Sequence, residues 1–191
     1  GGFLVDLAKM AKDIGYVVEV ITSPRHAEEI ISSNLTFIDI LKKEKVKYYV
    51  VQDINEKEIY CHLKSINSKA FFLSIGAAWI FKDDYILDAF AGKLFNLHGT
   101  RLPQNRGGGG FSWQIMTGNR FGFCVLHLIN GGIDTGDIVK YKEFIYPHTC
   151  RLPIDYIKYS KSKNLIFVLG IIEKIHKKQM CFNLIIQSHY L

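Results

Sequence analysis

The sequence predicts an α/β fold built on a doubly wound, mostly parallel sheet. Several short runs are apolar throughout and rich in β-branched and aromatic residues, which is typical of strands buried on both faces. Segments with helical spacing of apolar residues alternate with these runs, which favours βαβ units. The chain has 191 residues, of which 48% are hydrophobic. One domain with a sizeable core is therefore expected over residues 1–191.

The expected elements follow the same alternation along the chain. We predict helices at 3–14, 36–41, 59–63, 85–90, 111–117 and 165–178. We predict strands at 16–21, 48–51, 70–75, 93–97, 121–129 and 138–144. Thr36 and either Asp83 or Asp84 are the expected helix caps. Asp39 lies at the N3 position after Thr36, where a capping box usually has Glu or Gln, whose side chains are one methylene longer. The patterns that predict helices and strands become weaker after Pro147. Residues 147–191 are therefore assigned only as the C-terminal part of the domain, apart from the helix predicted at 165–178.

Composition favours an ordinary cytoplasmic protein. The formal charge is +6 and there are four cysteines, none in a Cys-x-x-Cys pair. Dispersed Lys and Arg residues favour solvated helix faces over a nucleic-acid patch, although a basic balance also suits anionic small molecules. The cysteine usage indicates reduced thiols. No apolar run approaches the ~20 residues of a membrane span, and no secretory signal is present. An opening Gly1-Gly2 instead of Met indicates a processed, recombinant or partial chain.

Three polar residues mark the stretch on which a function can be based. Asn96 and His98 end an apolar run two positions apart, so on a strand they point to the same side where the chain leaves the sheet. Open α/β sheets bind their ligands at that edge. Asp134 follows in a glycine-rich turn, 38 positions after Asn96. Asp137 is the rival carboxylate, but it opens the next strand and is expected to have a structural role.

The motifs around these residues resemble one known family. Asn-Leu-His-Gly from Asn96, the Leu-Pro and Arg-Gly that follow, and Asp-Thr-Gly-Asp-Ile from Asp134 are similar to the core of the formyltransferases that use 10-formyltetrahydrofolate. That family includes glycinamide ribonucleotide, methionyl-tRNA and nucleotide amino-sugar formyltransferases. The resemblance spans about residues 1–146 and implies a Rossmann-like sheet and an N-formyltransferase activity.

The resemblance also implies roles for the three residues. His98 donates a hydrogen bond to the formyl oxygen, and Asn96 supplies a second donor through its amide, which together form an oxyanion hole. Asp134 orients His98, keeps it charged and helps to carry the amine proton away through water.

Two further groups of residues are implied by their positions in the family pattern. The folate co-substrate is expected to thread between two loops and to bind mainly their backbone. These loops comprise Ser74, Gly76, Ala77, Ala78, Trp79, Ile80 and Phe81, and Leu128, Ile129, Asn130, Gly131 and Gly132. For Trp79 and Phe81, packing in the core is the safer alternative. The acceptor side is expected at Arg106, Gly107, Gly108 and Gly109. His127 is interpreted as a structural histidine, and no His, Cys or Asp cluster has metal spacing, so no metal is expected.

The acceptor is predicted to be a small amine, namely a nucleotide-linked amino sugar, because Gly99 follows His98 where the transfer-RNA and purine enzymes commonly carry proline. A methionyl-tRNA formyltransferase domain, a formyltetrahydrofolate hydrolase and an inactive fragment or folate-binding module remain alternatives, and the oligomeric state stays open. The family fold begins with a central strand that this chain lacks at its start. We therefore expect either a gap between strands 16–21 and 70–75, with two unpaired edges, or direct contact between them.

Overall fold

The helices and strands are those of a computed structural model that describes residues 1–76, 79, 81–178 and 183–188. In chain order they are α1 (Gly2–Ile14), β1 (Val17–Thr22), α2 (Pro24–Ala27), β2 (Ile30–Ser32), β3 (Leu35–Thr36), α3 (Phe37–Lys43), β4 (Lys47–Val50), α4 (Lys57–Ile66), a 3-10 turn (Asn67–Lys69), β5 (Ala70–Ile75), α5 (Asp83–Ala89), β6 (Leu94–His98), α6 (Gly110–Met116), β7 (Phe121–Leu128), β8 (Ile138–Ile145), α7 (Pro153–Lys178) and β9 (Asn183–Ser188).

Seven of these strands form one sheet in the order β4-β1-β9-β5-β6-β7-β8, while β2 and β3 form a separate ribbon. The first five strands of that order run parallel. β7 and β8 run antiparallel to their neighbours. The predicted mostly parallel α/β sheet is therefore confirmed.

The position between β1 and β5 is filled, contrary to our expectation of an empty or closed gap. β9 pairs in parallel with β1 from Val17↔Asn183 to Thr22↔Ser188, and with β5 from Ala70↔Asn183 to Ile75↔Ser188. The two expected unpaired edges are consequently absent from the described sheet. We missed this strand because parallel pairing between segments so far apart in sequence leaves no local pattern.

Helices cover both faces of the sheet, as a doubly wound fold requires. Neighbouring residues of β5 show this division, since Phe71 packs in the cluster that includes residues of α1, α3 and α7, and Phe72 packs in the cluster of α4 and α5. Both rings are buried, and each such burial stabilises the fold by roughly 2–3 kcal/mol. The sheet is therefore fixed from both sides, and its carboxyl edge is a rigid support for side chains at the strand ends.

Several predicted boundaries change in the structure. α7 begins at Pro153, twelve residues before the predicted start, because its first turns pack Tyr156 against Tyr146 rather than showing a long apolar stripe. Thr36 and Asp39 form a complete capping box, since the shorter Asp side chain still reaches the Thr36 backbone N–H at 3.0 Å. The residue before α5 is Lys82, so neither Asp83 nor Asp84 occupies the N-cap. Among the described helices, none is both long enough and apolar enough to cross a lipid bilayer.

Candidate active site

Asn96 and His98 lie at the carboxyl end of β6, and the structure brings both against Asp134. The Asn96 Nδ2 atom donates to Asp134 Oδ1 at 3.3 Å. The Nδ1 atom of His98 lies 3.4 Å from Asp134 Oδ2. Because the side chains of alternate residues share one face of a strand, one carboxylate can contact both of them.

The backbone around Asp134 holds its carboxylate in place. Asp134 adopts a left-handed conformation with φ of 49°, which is uncommon for a residue other than glycine. Its Oδ2 accepts a hydrogen bond from the Gly107 N–H at 2.9 Å, and its carbonyl oxygen accepts one from Arg106 Nε at 3.2 Å. Gly107 is also left-handed, with φ of 74°. Two of the four predicted acceptor residues therefore contact Asp134, Gly107 at its carboxylate and Arg106 at its backbone carbonyl.

The turn that carries Asp134 is built by its own short hydrogen bonds. Asn130 Oδ1 accepts from the Gly132 N–H at 3.2 Å and from the Thr135 hydroxyl at 2.6 Å. At Gly136 an added Cβ would lie 1.8 Å from the Leu128 carbonyl oxygen, so only glycine fits there. Asp137 is exposed, and its backbone carbonyl accepts from the Leu128 N–H at 2.9 Å. The structural role expected for Asp137 stays a prediction.

The other side of the His98 ring is occupied by the loop that follows β6. His98 Nε2 lies 2.8 Å from the Asn105 carbonyl oxygen and 2.8 Å from the Thr100 hydroxyl. A carbonyl oxygen only accepts, so Nε2 carries the proton and Nδ1 is the basic nitrogen of the neutral ring. A formyl oxygen that accepts from Nε2 must therefore take the place of the Asn105 carbonyl. Sequence reasoning missed Thr100 and Asn105 because a backbone acceptor and a nearby hydroxyl have no distinguishing motif.

The ionisation of the pair differs from our expectation. Burial lowers the pKa of His98 and outweighs the attraction of Asp134, which on its own would raise it. Burial alone would raise the pKa of Asp134, but hydrogen bonding to His127, the nearby His98 and the Gly107 N–H together lower it. At neutral pH the site therefore holds a neutral His98 beside a carboxylate anion. Asp134 favours the charged form of His98, as expected, but desolvation of the ring outweighs that attraction and lowers the pKa of His98.

His127, which we interpreted as a structural histidine, lies inside this group. It is buried on β7 directly opposite Asn96 in the antiparallel ladder. Its Nε2 lies 3.0 Å from Asn96 Nδ2 and 3.4 Å from Asp134 Oδ1. The strand register that creates this contact is not visible in the sequence, where His127 is only a polar residue within an apolar run.

The second predicted folate loop contacts the beginning of α5, the helix that follows the first predicted loop. Asp83 Oδ1 accepts a hydrogen bond from the Gly131 N–H at 2.7 Å, which joins the beginning of α5 to the turn before Asp134. Ser74 is fully buried, and its hydroxyl has no hydrogen-bond partner among the described residues. Phe81 is buried in the core, and the Trp79 Nε1–H donates to the Gln52 carbonyl oxygen at 3.2 Å.

Phe81 thus agrees with the core alternative, and its ring offers no surface to a ligand. Ala77, Ala78 and Ile80 lie outside the described residues. Of the predicted loop residues, Gly131 has a structural contact that sequence reasoning could not supply, because its partner Asp83 lies 48 positions away.

The predicted acceptor loop borders an open cavity of about 340 Å³. Its walls include Asn105, Arg106, Gly108, Trp113 and Gln114. One of these wall residues, Asn105, is also the residue whose carbonyl oxygen contacts His98. The Trp113 side chain is 58% exposed, although it lies on a helix beside this cavity. A flat aromatic ring and a guanidinium group at one cavity suit a ligand with an aromatic base and phosphate groups.

His98, His127 and Asp134 also meet the loosest geometric requirement for a cation site. One potential ligand atom from each lies within 4.8 Å of the others. However, the Asn96 Nδ2 atom approaches both His127 Nε2 and Asp134 Oδ1, and an N–H group does not ligate a metal. The absence of a metal stays a prediction.

Comparisons with known proteins identify related sequences and folds. No family model matches the chain. A methionyl-tRNA formyltransferase from Prochlorococcus marinus subsp. pastoris is 25% identical over 176 residues, which cover 90% of this chain and 53% of that protein. The chain spans about half or less of the length of the curated relatives it matches.

Two solved structures show the same fold. Phosphoribosylglycinamide formyltransferase from Bacillus halodurans superposes with a TM-score of 0.69 at 15% identity, covering 93% of this chain and 91% of that one. The formyltransferase PseJ from Anoxybacillus kamchatkensis, in complex with UDP-4,6-dideoxy-4-formamido-L-AltNAc and tetrahydrofolate, superposes with a TM-score of 0.53 at 21% identity, covering 84% and 78%. Sequence relatives and shared fold agree with the motifs around Asn96, His98 and Asp134. The chain is therefore similar in sequence and in fold to formyltransferases.

Proposed function

We propose that the chain transfers a formyl group from 10-formyltetrahydrofolate to a primary amine of a nucleotide-linked amino sugar. The observation that carries the proposal is the contact of Asn96, His98 and Asp134 at the carboxyl end of β6. A neutral base beside a carboxylate, at the edge where open sheets bind ligands, is suited to deprotonating an attacking amine.

The proposed reaction proceeds by addition and elimination. The amine nitrogen forms a bond to the formyl carbon, and the carbonyl electron pair moves onto the formyl oxygen. An amine proton passes by way of a water molecule to His98 Nδ1, where Asp134 stabilises the positive charge. The bond between the formyl carbon and N10 then breaks, and N10 takes up a proton as tetrahydrofolate leaves. The product is the N-formyl amine, and the overall reaction consumes no proton.

Support for the folate site comes from a contact between the second predicted loop and the beginning of α5, which follows the first. The bond from the Gly131 N–H to Asp83 brings the segment after β7 to the beginning of α5. The hydroxyl of buried Ser74, which has no partner among the described residues, lies at the end of β5, beside the strand that carries Asn96. PseJ, which has the same fold, binds tetrahydrofolate in its solved complex.

Support for the acceptor class comes from the cavity beside His98. Trp113 offers an exposed ring for a base, and Arg106 offers a positive charge for a diphosphate. The amino sugar would then reach the Asn105 end of the cavity, next to His98. A methionyl-tRNA acceptor is the second candidate, because the curated relatives are methionyl-tRNA formyltransferases.

The test is a transfer assay with isotopically labelled 10-formyltetrahydrofolate. The acceptors are a UDP-linked 4-amino sugar, a dTDP-linked 3-amino sugar, glycinamide ribonucleotide and methionyl-tRNA, each followed by mass spectrometry. We expect label in an amino-sugar product, and its loss in His98→Ala. Label only in methionyl-tRNA would favour the second candidate. Formate release without an amine would indicate a hydrolase, and folate binding without turnover would indicate an inactive module.

A further inference from the structure

The Thr100 side chain contacts both the His98 ring and the carbonyl group that this ring faces. It is buried and lies two residues after His98, where the chain leaves β6. The Thr100 hydroxyl lies 2.8 Å from His98 Nε2, and it donates to the Asn105 carbonyl oxygen at 3.1 Å. That carbonyl oxygen is itself 2.8 Å from Nε2. The hydroxyl, the carbonyl oxygen and the ring nitrogen therefore form a closed group of three polar atoms.

The hydrogens in this group can be assigned from the chemistry of its members. A carbonyl oxygen accepts and cannot donate, so the Nε2–H of His98 and the O–H of Thr100 both point towards the Asn105 oxygen, which has two lone pairs. The lone pairs of the Thr100 oxygen can then accept a share of the same Nε2–H. This arrangement is the same for a neutral and for a charged His98 ring, because Nε2 carries a proton in both.

Packing fixes the Thr100 side chain in this position. Gly110, the first residue of α6, lies so close that a Cβ there would be 2.6 Å from the Thr100 methyl carbon and 2.9 Å from its hydroxyl oxygen. Only glycine leaves room for both groups at that distance. The Thr100 side chain thus packs against the beginning of α6 while its hydroxyl contacts the His98 ring.

The Asn105 carbonyl belongs to a loop that also contacts Asp134. The loop turns back at Asn105, whose N–H donates to the Arg101 carbonyl oxygen at 2.8 Å. Two residues later, the Gly107 N–H donates to the Asp134 carboxylate at 2.9 Å. The hydrogen bond from Thr100 to Asn105 therefore fixes the start of the segment that contacts the Asp134 carboxylate.

We propose that Thr100 is a positioning residue, whose hydroxyl orients the His98 ring and keeps the Asn105 carbonyl hydrogen-bonded when the formyl oxygen takes the place of that carbonyl on Nε2. The inference rests on the proposed formyl transfer. Without the Thr100 O–H, the displaced carbonyl would lose its donor, which is costly for a partly buried acceptor. The exchange matters most when the formyl oxygen becomes negative, so the Thr100 hydroxyl favours the transition state over the ground state.

The first test removes the hydroxyl and then restores it. Thr100→Val keeps the branched shape of the side chain without the O–H, whereas Thr100→Ser keeps the O–H without the methyl group. We expect Thr100→Val to lower kcat for formyl transfer on the order of tenfold or more, with a smaller change in KM for 10-formyltetrahydrofolate. We expect Thr100→Ser to retain most of the wild-type kcat.

Thr22→Val is the matched control. Thr22 is a fully buried threonine on β1, and its hydroxyl has no hydrogen-bond partner in the part of the chain that the structure describes. The same chemical change at Thr22 should therefore leave kcat and KM unchanged. Thermal melting of every variant shows how much of any loss of activity is structural.

The second test does not depend on turnover. The His98 ring is titrated by ¹H–¹⁵N correlation spectra of the full chain, with its signals assigned by their absence in His98→Gln. A hydrogen bond accepted from the charged ring favours that ring. The pKa of His98 should therefore fall in Thr100→Val, and it should stay at the wild-type value in Thr100→Ser and Thr22→Val. Asp134 and His127 face the ring in all these proteins, so their influence is common to them.

Three results would overturn the proposal. These are a kcat in Thr100→Val equal to that of the wild type, equal losses of kcat in Thr100→Val and Thr100→Ser, and a His98 titration that is the same in Thr100→Val as in the wild type. If Thr100→Val does not fold, Thr100→Ala replaces it, because it differs from Thr100→Ser only by the hydroxyl. If the wild type transfers formyl to none of the amines, the proposed function fails, and the titration still decides whether Thr100 positions His98.

Discussion

The state of His98 is decided by the balance between burial and a nearby charge. Burial lowers the pKa of the ring, and Asp134 reduces that shift without reversing it. The neutral ring is the form that can accept the amine proton. Activity should therefore rise with pH through the pKa of His98, which lies below its ordinary value of about 6.5.

Replacing Asp134 by Asn tests this balance. The substitution removes the charge that raises the pKa of His98, so this pKa should fall further and the acid limb of the kcat/KM profile should move to lower pH. Turnover should also fall on the order of a hundredfold, because the imidazolium formed during transfer loses its counter-charge. Asp137→Asn, an exposed carboxylate three residues away, should leave both the limb and turnover unchanged. An acid limb in Asp134→Asn that stays in place or moves up would contradict the account.

The contact between Asp83 and Gly131 gives a second prediction. Asp83→Ala removes the acceptor that holds Gly131 of the second expected folate loop against the beginning of α5, so KM for 10-formyltetrahydrofolate should rise several-fold, while kcat at saturation changes little. Asp84→Ala is the control, because the Asp84 carboxylate accepts from the backbone N–H of its neighbour Tyr85 and has no hydrogen bond to the described residues of either loop. Initial rates over a range of folate concentrations measure both constants. Equal changes in the two variants would mean that the contact does not shape the folate site.

At the scale of elements, β9 completes the sheet between two strands that are otherwise unpaired on that side. It pairs with β1 on one side and with β5 on the other, so its backbone N–H groups donate to neighbouring strands within the sheet. Proline cannot donate a ladder hydrogen bond and is excluded from central strands. The same segment shows why an assignment from local pattern alone was incomplete.

A proline in β9 should therefore destabilise the whole sheet. Ile186→Pro removes a backbone donor from the central strand, and we expect a loss of about 3 kcal/mol or more, equivalent to a fall in Tm of roughly 6–12 °C for a chain of this size. Ile186→Val keeps the N–H and the β-branched side chain, and its Tm should be nearly that of the wild type. Scanning calorimetry compares the two. Equal melting temperatures would show that β9 does not occupy the centre of the sheet.

Whether a feature could be predicted from the sequence depends on how far apart in the chain the interacting residues lie. β5 could be predicted because its apolar run is local. Asn96 and His98 could be placed on one side of a strand because they are two positions apart, whereas Asp134 was assigned from the resemblance of its motif. His127, Thr100 and Asn105 could not, because their contacts depend on strand register and loop path. The neutral state of His98 also required the structure, because burial is not readable from a motif.

At the scale of the whole molecule, the site needs only side chains, backbone groups and the co-substrate for its proposed chemistry. Treatment with a strong chelator followed by desalting should therefore leave turnover unchanged, even though His98, His127 and Asp134 lie close together. The matched control is the same protein desalted without chelator. A loss that zinc restores would show that this cluster holds a metal.

The central claim is that His98 and Asp134 act as one unit in formyl transfer. The most direct test is a double-mutant cycle with His98→Ala, Asp134→Asn and the combined variant, measured as kcat for transfer from 10-formyltetrahydrofolate to the best amine acceptor. Residues that act together show non-additive losses. We predict a combined loss close to that of the more damaging single change and far below the product of the two. A combined loss equal to that product would contradict the account.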